Sequence, residues 1–290
     1  MNKGESLYLE CYSGISGDMV AAALLDLGAS EERLRAVLRS LPLPGFEIRI
    51  SETEKSGIRA KDFDVLLEQE NHDHDMDYLY GREAHIHDGV HTHDMTHTHD
   101  GTHTHSEETH PHHHHPHQHR TLKDIREIYD HSVMSDDEKR LALGVFDIVA
   151  GAEGFVHGRP KEEVHFHEVG AVDSIVDIAA AAVCLNDLGF SKAIVSVLYE
   201  GFGTVRCQHG VLPVPVPAVA RIVSEHGLVL HPMGLEGEFV TPTGAAIAAS
   251  LSDGRRLPER YTIEKIGIGA GKRVYDGPGI LRAMKIREEA

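Results

Sequence analysis

Two groups of residues in this chain have the types and spacing to do chemistry. The first is a histidine tract. Between His72 and His119 the chain places 17 of its 24 histidines in 48 residues. Part of the tract repeats every six residues: His85-Ile-His87-Asp, His91-Thr-His93-Asp, His97-Thr-His99-Asp and His103-Thr-His105. Imidazole is the commonest side-chain ligand for borderline transition metals near neutral pH. In an extended backbone, residues i and i+2 project to the same side. Each His-x-His pair can therefore close loosely on one ion, with the following Asp adding an oxygen. Nickel, zinc, copper and cobalt all suit such pairs. A catalytic site is not expected here, because a flexible tract holds no single geometry.

The second group is Val164-His165-Phe-His167-Glu168, followed by Asp173 and Asp177. His165 and His167 alternate, Glu168 is adjacent, and Asp173 and Asp177 are four apart on one helix face. Asp177 interrupts the run Ile-Val-Asp-Ile-Ala-Ala-Ala-Ala-Val. A carboxylate there is expensive to bury without a partner. A metal held by His165, His167, Glu168 and Asp177 would be such a partner; a helix cap plus an ion pair would be the structural alternative.

Two strand-to-helix junctions could hold an anion. Ser13-Gly14-Ile-Ser16-Gly17-Asp18 offers backbone N–H groups and hydroxyls at a helix start. It lacks the lysine and spacing of a P-loop. Asp18 either caps the helix or acts as a base or metal ligand. Thr241-Pro-Thr243-Gly244 places an N-cap threonine before a proline. A phosphorylated ligand would be bound by Ser13, Gly14, Ser16, Gly17, Thr241, Thr243 and Gly244, with Asp18, Asp173 and Asp177 as the catalytic acids.

The elements that must position these residues are legible in outline. Leu7–Cys11 reads as a strand, Met19–Leu27 as a helix closed by Gly28, and Glu31–Leu41 as a second helix. Phe46–Ser51 and Ala60–Leu67 read as strands about a turn near Ser56-Gly57. After the tract, Leu122–His131, Asp136–Val156 and Val172–Leu188 read as helices. Val164–Glu168, Ala193–Tyr199, Gly203–Cys207 and Tyr261–Ile268 read as strands, and Gly267–Gly271 as a glycine turn. Pro217 opens a further helix. The fold class is therefore α+β (mixed α/β). A β-α-α-β-β unit spans 1–70, a low-complexity insertion, expected to be disordered without metal, spans 71–120, and the main α/β unit spans 121–290, packed with 1–70 as one body.

The formal charge of −18 excludes nucleic acid and anionic membrane as partners and favours cations. No apolar stretch is long enough to span a bilayer. Three cysteines without a CxxC give no disulfide framework. Cys11 and Cys207, the latter beside His209, are weak soft-metal candidates. The chain reads as cytoplasmic.

Taken together, Cys11-Tyr-Ser-Gly-Ile-Ser-Gly-Asp-Met19, the histidine tract, Glu163 to Asp177, His209-Gly-Val-Leu-Pro-Val-Pro-Val-Pro217 and Val240-Thr-Pro-Thr-Gly-Ala-Ala246 resemble the LarC family of nickel insertion proteins. The resemblance implies a nickel chelatase (cyclometallase) of the lyase class. Its substrate would be pyridinium-3,5-bisthiocarboxylic acid mononucleotide, and its product the nickel-pincer cofactor of lactate racemase. It also implies CTP hydrolysis supported by manganese or magnesium. Members carry a further C-terminal part to which CTP binding is attributed, so a separate C-terminal half is an expected partner, and self-association is expected. Two other readings compete: a histidine-rich nickel store without chemistry, and an unrelated metal-dependent hydrolase. A store needs neither the buried Asp177 nor a phosphate pocket at two helix starts, and the hydrolase lacks a recognisable nucleophile arrangement or a His-x-x-x-His zinc helix.

Deleting His72–His119 should leave the fold and the core reaction intact while lowering nickel capacity, read by equilibrium dialysis. Loss of insertion even at saturating nickel would instead place the tract inside the active site.

Overall fold

The computed structural model describes residues 5–67, 120–166, 172–207, 209–273 and 277–289. The chain starts with β1 (Glu5–Glu10), α1 (Gly17–Leu27), α2 (Glu31–Arg39) and a hairpin of β2 (Phe46–Lys55) and β3 (Ile58–Leu67). It resumes with α3 (Leu122–Asp130), α4 (Asp136–His157) and α5 (Val172–Asp187), then β4 (Ala193–Val195) and β5 (Leu198–Phe202). There follow β6 (Thr204–Cys207), β7 (Gly210–Pro213), α6 (Pro217–His226), β8 (Leu230–Glu236), α7 (Pro242–Leu251), β9 (Tyr261–Ala270) and β10 (Ile280–Glu288). This is the mixed α/β architecture expected, with the β-α-α-β-β unit first. The histidine tract lies outside the described residues.

One six-stranded sheet, ordered β2-β3-β9-β10-β1-β4, carries the helices. Its strands come from both sides of the insertion. β1 runs antiparallel to β10, with Leu9 opposite Ala283, and parallel to β4, with Leu7 opposite Ala193. The alternation of β1 divides its side chains. Leu7 and Leu9 enter the main core with the helices, while Tyr8 joins Ile194, Met284 and Ile286 on the other face.

α1 is apolar almost all round because it is buried almost all round: nine of its eleven residues are inaccessible. It ends at Gly28, whose φ of 113° is the left-handed conformation that glycine adopts at no steric cost. α4 begins with a reciprocal capping box, Ser135 with Glu138. Burial alone would raise the Glu138 carboxyl. Arg33, the Ser135 N–H and Asn186 together hold it below the usual range, and they tie α2, α4 and α5 to one another.

Four expectations need correction. Gly267–Gly271 is no turn; Gly267 and Gly269 lie within β9, directly beneath α1. A Cβ on Gly267 would overlap the carbonyl oxygen of Ala23, and one on Gly269 that of Met19. Glycine is needed there for close approach, not for bending. Val164–Glu168 is no strand where it is described: a 3₁₀ turn at Lys161–Glu163 leads to one isolated bridge, Phe166 to Arg120. An extended segment without a neighbour makes no ladder. Ala193–Tyr199 divides between β4 and β5, which join different sheets. Finally β7, β8 and β10 are strands that the sequence reading passed over.

Gly269→Ala should therefore push α1 off β9 and lower stability by about 1–3 kcal/mol, measured by chemical denaturation. Gly151, helical and with open space around it, is the control: its change to alanine should stabilise by roughly 0.5–1 kcal/mol.

Candidate functional site

The two junctions named from sequence meet backbone to backbone. The N–H of Ile15 donates to the carbonyl of Phe239 at 2.9 Å, and the N–H of Thr241 donates to that of Ile15 at 3.1 Å. No side chain fits between them. A Cβ on Gly14, where φ is 89°, would overlap the Phe239 carbonyl, and one on Gly244 the Ile15 carbonyl. The helices α1 and α7 consequently start side by side. Thr241 caps α7 as expected, its hydroxyl accepting from the Gly244 N–H at 3.1 Å. Ser16 occupies the N-cap of α1 but makes no side-chain cap bond. Its hydroxyl donates instead to Asp18, which also accepts from the Met19 N–H at 2.8 Å.

Asp177 of α5 reaches this point. A Cβ on Gly17 would stand 2.9 Å from the Asp177 Cβ, 3.0 Å from its Oδ2 and 3.1 Å from the Thr243 methyl. Gly17, Thr243 and Asp177 therefore form one contact, drawn from three helices. Asp18, Asp173 and Asp177 also feel one another's charge. Burial pushes the Asp177 carboxyl well above the usual range, and Asp18 and Asp173 add to the push while Lys272 opposes it. Asp18 and Asp173 are raised as well, again chiefly by burial. The side chains are not sealed: Asp18 and Asp177 are half-buried and Asp173 is exposed. The protein crowds a recess that water still reaches, which moderates the shifts.

Sequence reasoning missed the basic and acidic residues that face these three. Lys272 Nζ lies 2.5 Å from Asp62 and 3.4 Å from Asp64. Lys55 is near the same group; burial lowers its pKa, and Asp62 and Asp18 oppose the change. Alternation around the buried Phe63 was the available signal for Asp62 and Asp64, since it puts both on one strand face. Nothing local marks Lys272.

Of the other predicted residues, Ser13 is half-buried in the first junction, and His165 is exposed beside the buried Phe166. Among the described residues no contact joins His165 to Asp177. His167, Glu168 and the tract histidines lie outside the described residues. No three His, Cys, Asp or Glu side chains among the described residues are arranged to hold a metal ion. The oxygen donors would suit magnesium or manganese, but Lys272 already pairs with two of them, so the described site does not fit a resident divalent cation. Among the described residues no helix is long and apolar enough to cross a membrane.

One buried acid stands behind the second junction. Glu200 of β5 is 2% exposed. Burial pushes its carboxyl up to about 7, against three backbone amides that favour the charge; Glu238 adds to the rise.

Comparison with known proteins gives a consistent result. A protein named pyridinium-3,5-bisthiocarboxylic acid mononucleotide nickel insertion protein from Alkaliphilus metalliredigens is 51% identical over 283 residues, covering 97% of this chain and 60% of its own length. Proteins of the same name from Clostridium acetobutylicum and Akkermansia muciniphila are 41% and 39% identical over 286 residues, each covering 98% of this chain. They are covered over 64% and 61% of their own lengths, so the chain spans about three-fifths of these curated relatives. No solved structure matches it. The family model described as nickel insertion protein matches residues 7–290, and the chain belongs to that family.

Proposed function

We propose that this chain forms the mononucleotide-binding and nickel-inserting part of a nickel insertion protein acting on pyridinium-3,5-bisthiocarboxylic acid mononucleotide. The observation that carries the reading is the meeting of two helix N-termini with Asp177 at Gly17. A helix start carries a positive dipole end, and the N–H groups there that Asp18 and Thr241 do not already occupy would suit the substrate's phosphate. Nickel is the second substrate, drawn from the histidine tract. CTP, with manganese or magnesium, belongs to this reading through family resemblance, and no described residue is assigned to it.

The chemistry needs a base. A carbon–nickel bond on the pyridinium ring replaces a carbon–hydrogen bond, so one proton must leave the ring carbon. The two thiocarboxylates bind nickel through sulfur without releasing another. Asp177 and Asp18 have carboxyls raised above the ordinary carboxylate range, chiefly by burial, which moves their basicity in the direction a general base needs. Lys272 and Lys55 balance the negative charge, and a cationic ring is welcome beside carboxylates. In this reading Asp177 accepts the proton, Asp18 and Asp173 tune it, and Gly17, lacking a Cβ, lets the α1 start come up against Asp177 and Thr243.

Asp177→Asn tests the base. A carboxyl raised in the folded state binds its proton more tightly than in the unfolded chain. It therefore costs stability progressively as pH rises from the ordinary carboxylate range through the raised value. The variant should melt higher than the parent protein above that window and equally in acid, while nickel insertion, followed by the absorbance of the product, is lost. Full activity in Asp177→Asn would remove the base.

Gly17→Ala tests the phosphate cradle. The new methyl must displace Asp177 or Thr243. Calorimetry should show mononucleotide binding weakened tenfold or more, with a stability loss of about 1–3 kcal/mol. Unchanged affinity would put the phosphate elsewhere.

A further inference from the structure

Glu200 belongs to no motif in the sequence and touches none of the acids at Gly17 through a described hydrogen bond. Its side chain is nonetheless arranged for a single task. Oε1 accepts three backbone N–H groups: Gly201 at 2.9 Å, Phe239 at 2.8 Å and Val240 at 3.2 Å. Oε2 is buried with no hydrogen-bond partner. A carboxylate so enclosed is costly to desolvate. Only a strong acceptor collects three donors on one oxygen.

The backbone it collects is the second junction. Phe239 and Val240 lead directly into the pairing of Ile15 with Phe239 and Thr241. One residue earlier, Arg273 holds Glu238, donating to its carbonyl at 2.6 Å and to its Oε2 at 2.8 Å. Residues 238–241 are thus held at four consecutive positions, by Arg273, Glu200 twice and Ile15. β5 also lies flat against this loop, because a Cβ on Gly201 would overlap the Gly237 carbonyl.

We propose that Glu200 is a positioning residue for the two helix starts: by clamping Phe239 and Val240 through one oxygen, it sets, through Ile15, the spacing between the N-termini of α1 and α7. This rests on the reading of those helix starts as the mononucleotide site. Removing the carboxylate leaves three inward-facing N–H groups without an acceptor and frees the junction. A glutamine keeps one oxygen to accept them, loses the charge and puts an NH2 group in place of Oε2.

The test compares the full chain with Glu200→Gln and Glu200→Ala. Native-state hydrogen exchange is read at Ile15, Phe239, Val240 and Thr241, beside melting temperature and calorimetric binding of the pyridinium mononucleotide. Glu200→Ala should speed exchange tenfold or more at those four amides while α5 and β10 stay protected, and should weaken binding tenfold or more. Glu200→Gln should recover most of both losses. Uniform acceleration across the molecule would reduce Glu200 to a stability residue, and unchanged exchange or unchanged affinity would overturn the proposal. If Glu200→Ala does not fold, Glu200→Asp takes its place, since the shorter side chain draws the oxygen away from the amides: faster exchange confined to the four amides supports the proposal, and parental or uniform exchange defeats it. A parent chain that binds no mononucleotide defeats the functional reading instead, and the exchange pattern, which needs no ligand, still decides whether Glu200 sets the junctions.

Discussion

The pairing of Ile15 with Phe239 and Thr241 joins two stretches of backbone more than two hundred residues apart in sequence, and most of the site follows from it. A peptide-to-peptide contact leaves no room for side chains, which accounts for Gly14 and Gly244. It sets α1 and α7 beside each other at their positive ends. The packing of α1 on α5 then sets Gly17 against Asp177, so that a helix start and a carboxylate lie together. Weaken the pairing, and three separately ordinary features stop being a site.

Charge is the second constraint. Asp18, Asp62, Asp64, Asp173 and Asp177 gather where α1, α5 and β3 converge, with Lys55 and Lys272 as the basic residues that act on them. The imbalance is a stored preference for cations. Under the proposed function it works in the direction that a pyridinium ring and a nickel ion would require. Because Asp18 and Asp177 are only half-buried and Asp173 is exposed, these acids can exchange protons with solvent.

The sequence made some of this legible, for physical reasons that differ by element. α1, α4 and α5 carry their own signals: continuous apolar runs, a capping box at Ser135 and Glu138, a left-handed Gly28. The junction glycines were visible because a glycine before a helix has few other uses. β10 was not, since its alternation is filled with Arg282, Lys285 and Arg287, whose partners Glu5, Glu10 and Glu264 appear only when neighbouring strands align. Gly267 and Gly269 were read as a turn because glycine signals bending and close approach with the same letter. Asp62, Asp64 and Lys272 look like ordinary polar residues until the sheet forms, and Glu200 acquires its role only from the backbone of a distant loop.

The order of the sheet also says when a working site can exist in a growing chain. β1 is made long before its antiparallel neighbour β10, near position 283. β9, the strand on which α1 rests, is made only shortly before it. At about 5–20 residues per second, the ribosome needs on the order of fifteen seconds to a minute between the two ends of that pairing. Until the last part of this interval, the apolar helix α1 has only β3 of the sheet beside it and lacks β9, the strand on which it rests. Nascent chains should therefore depend on protection from aggregation until β10 has been made.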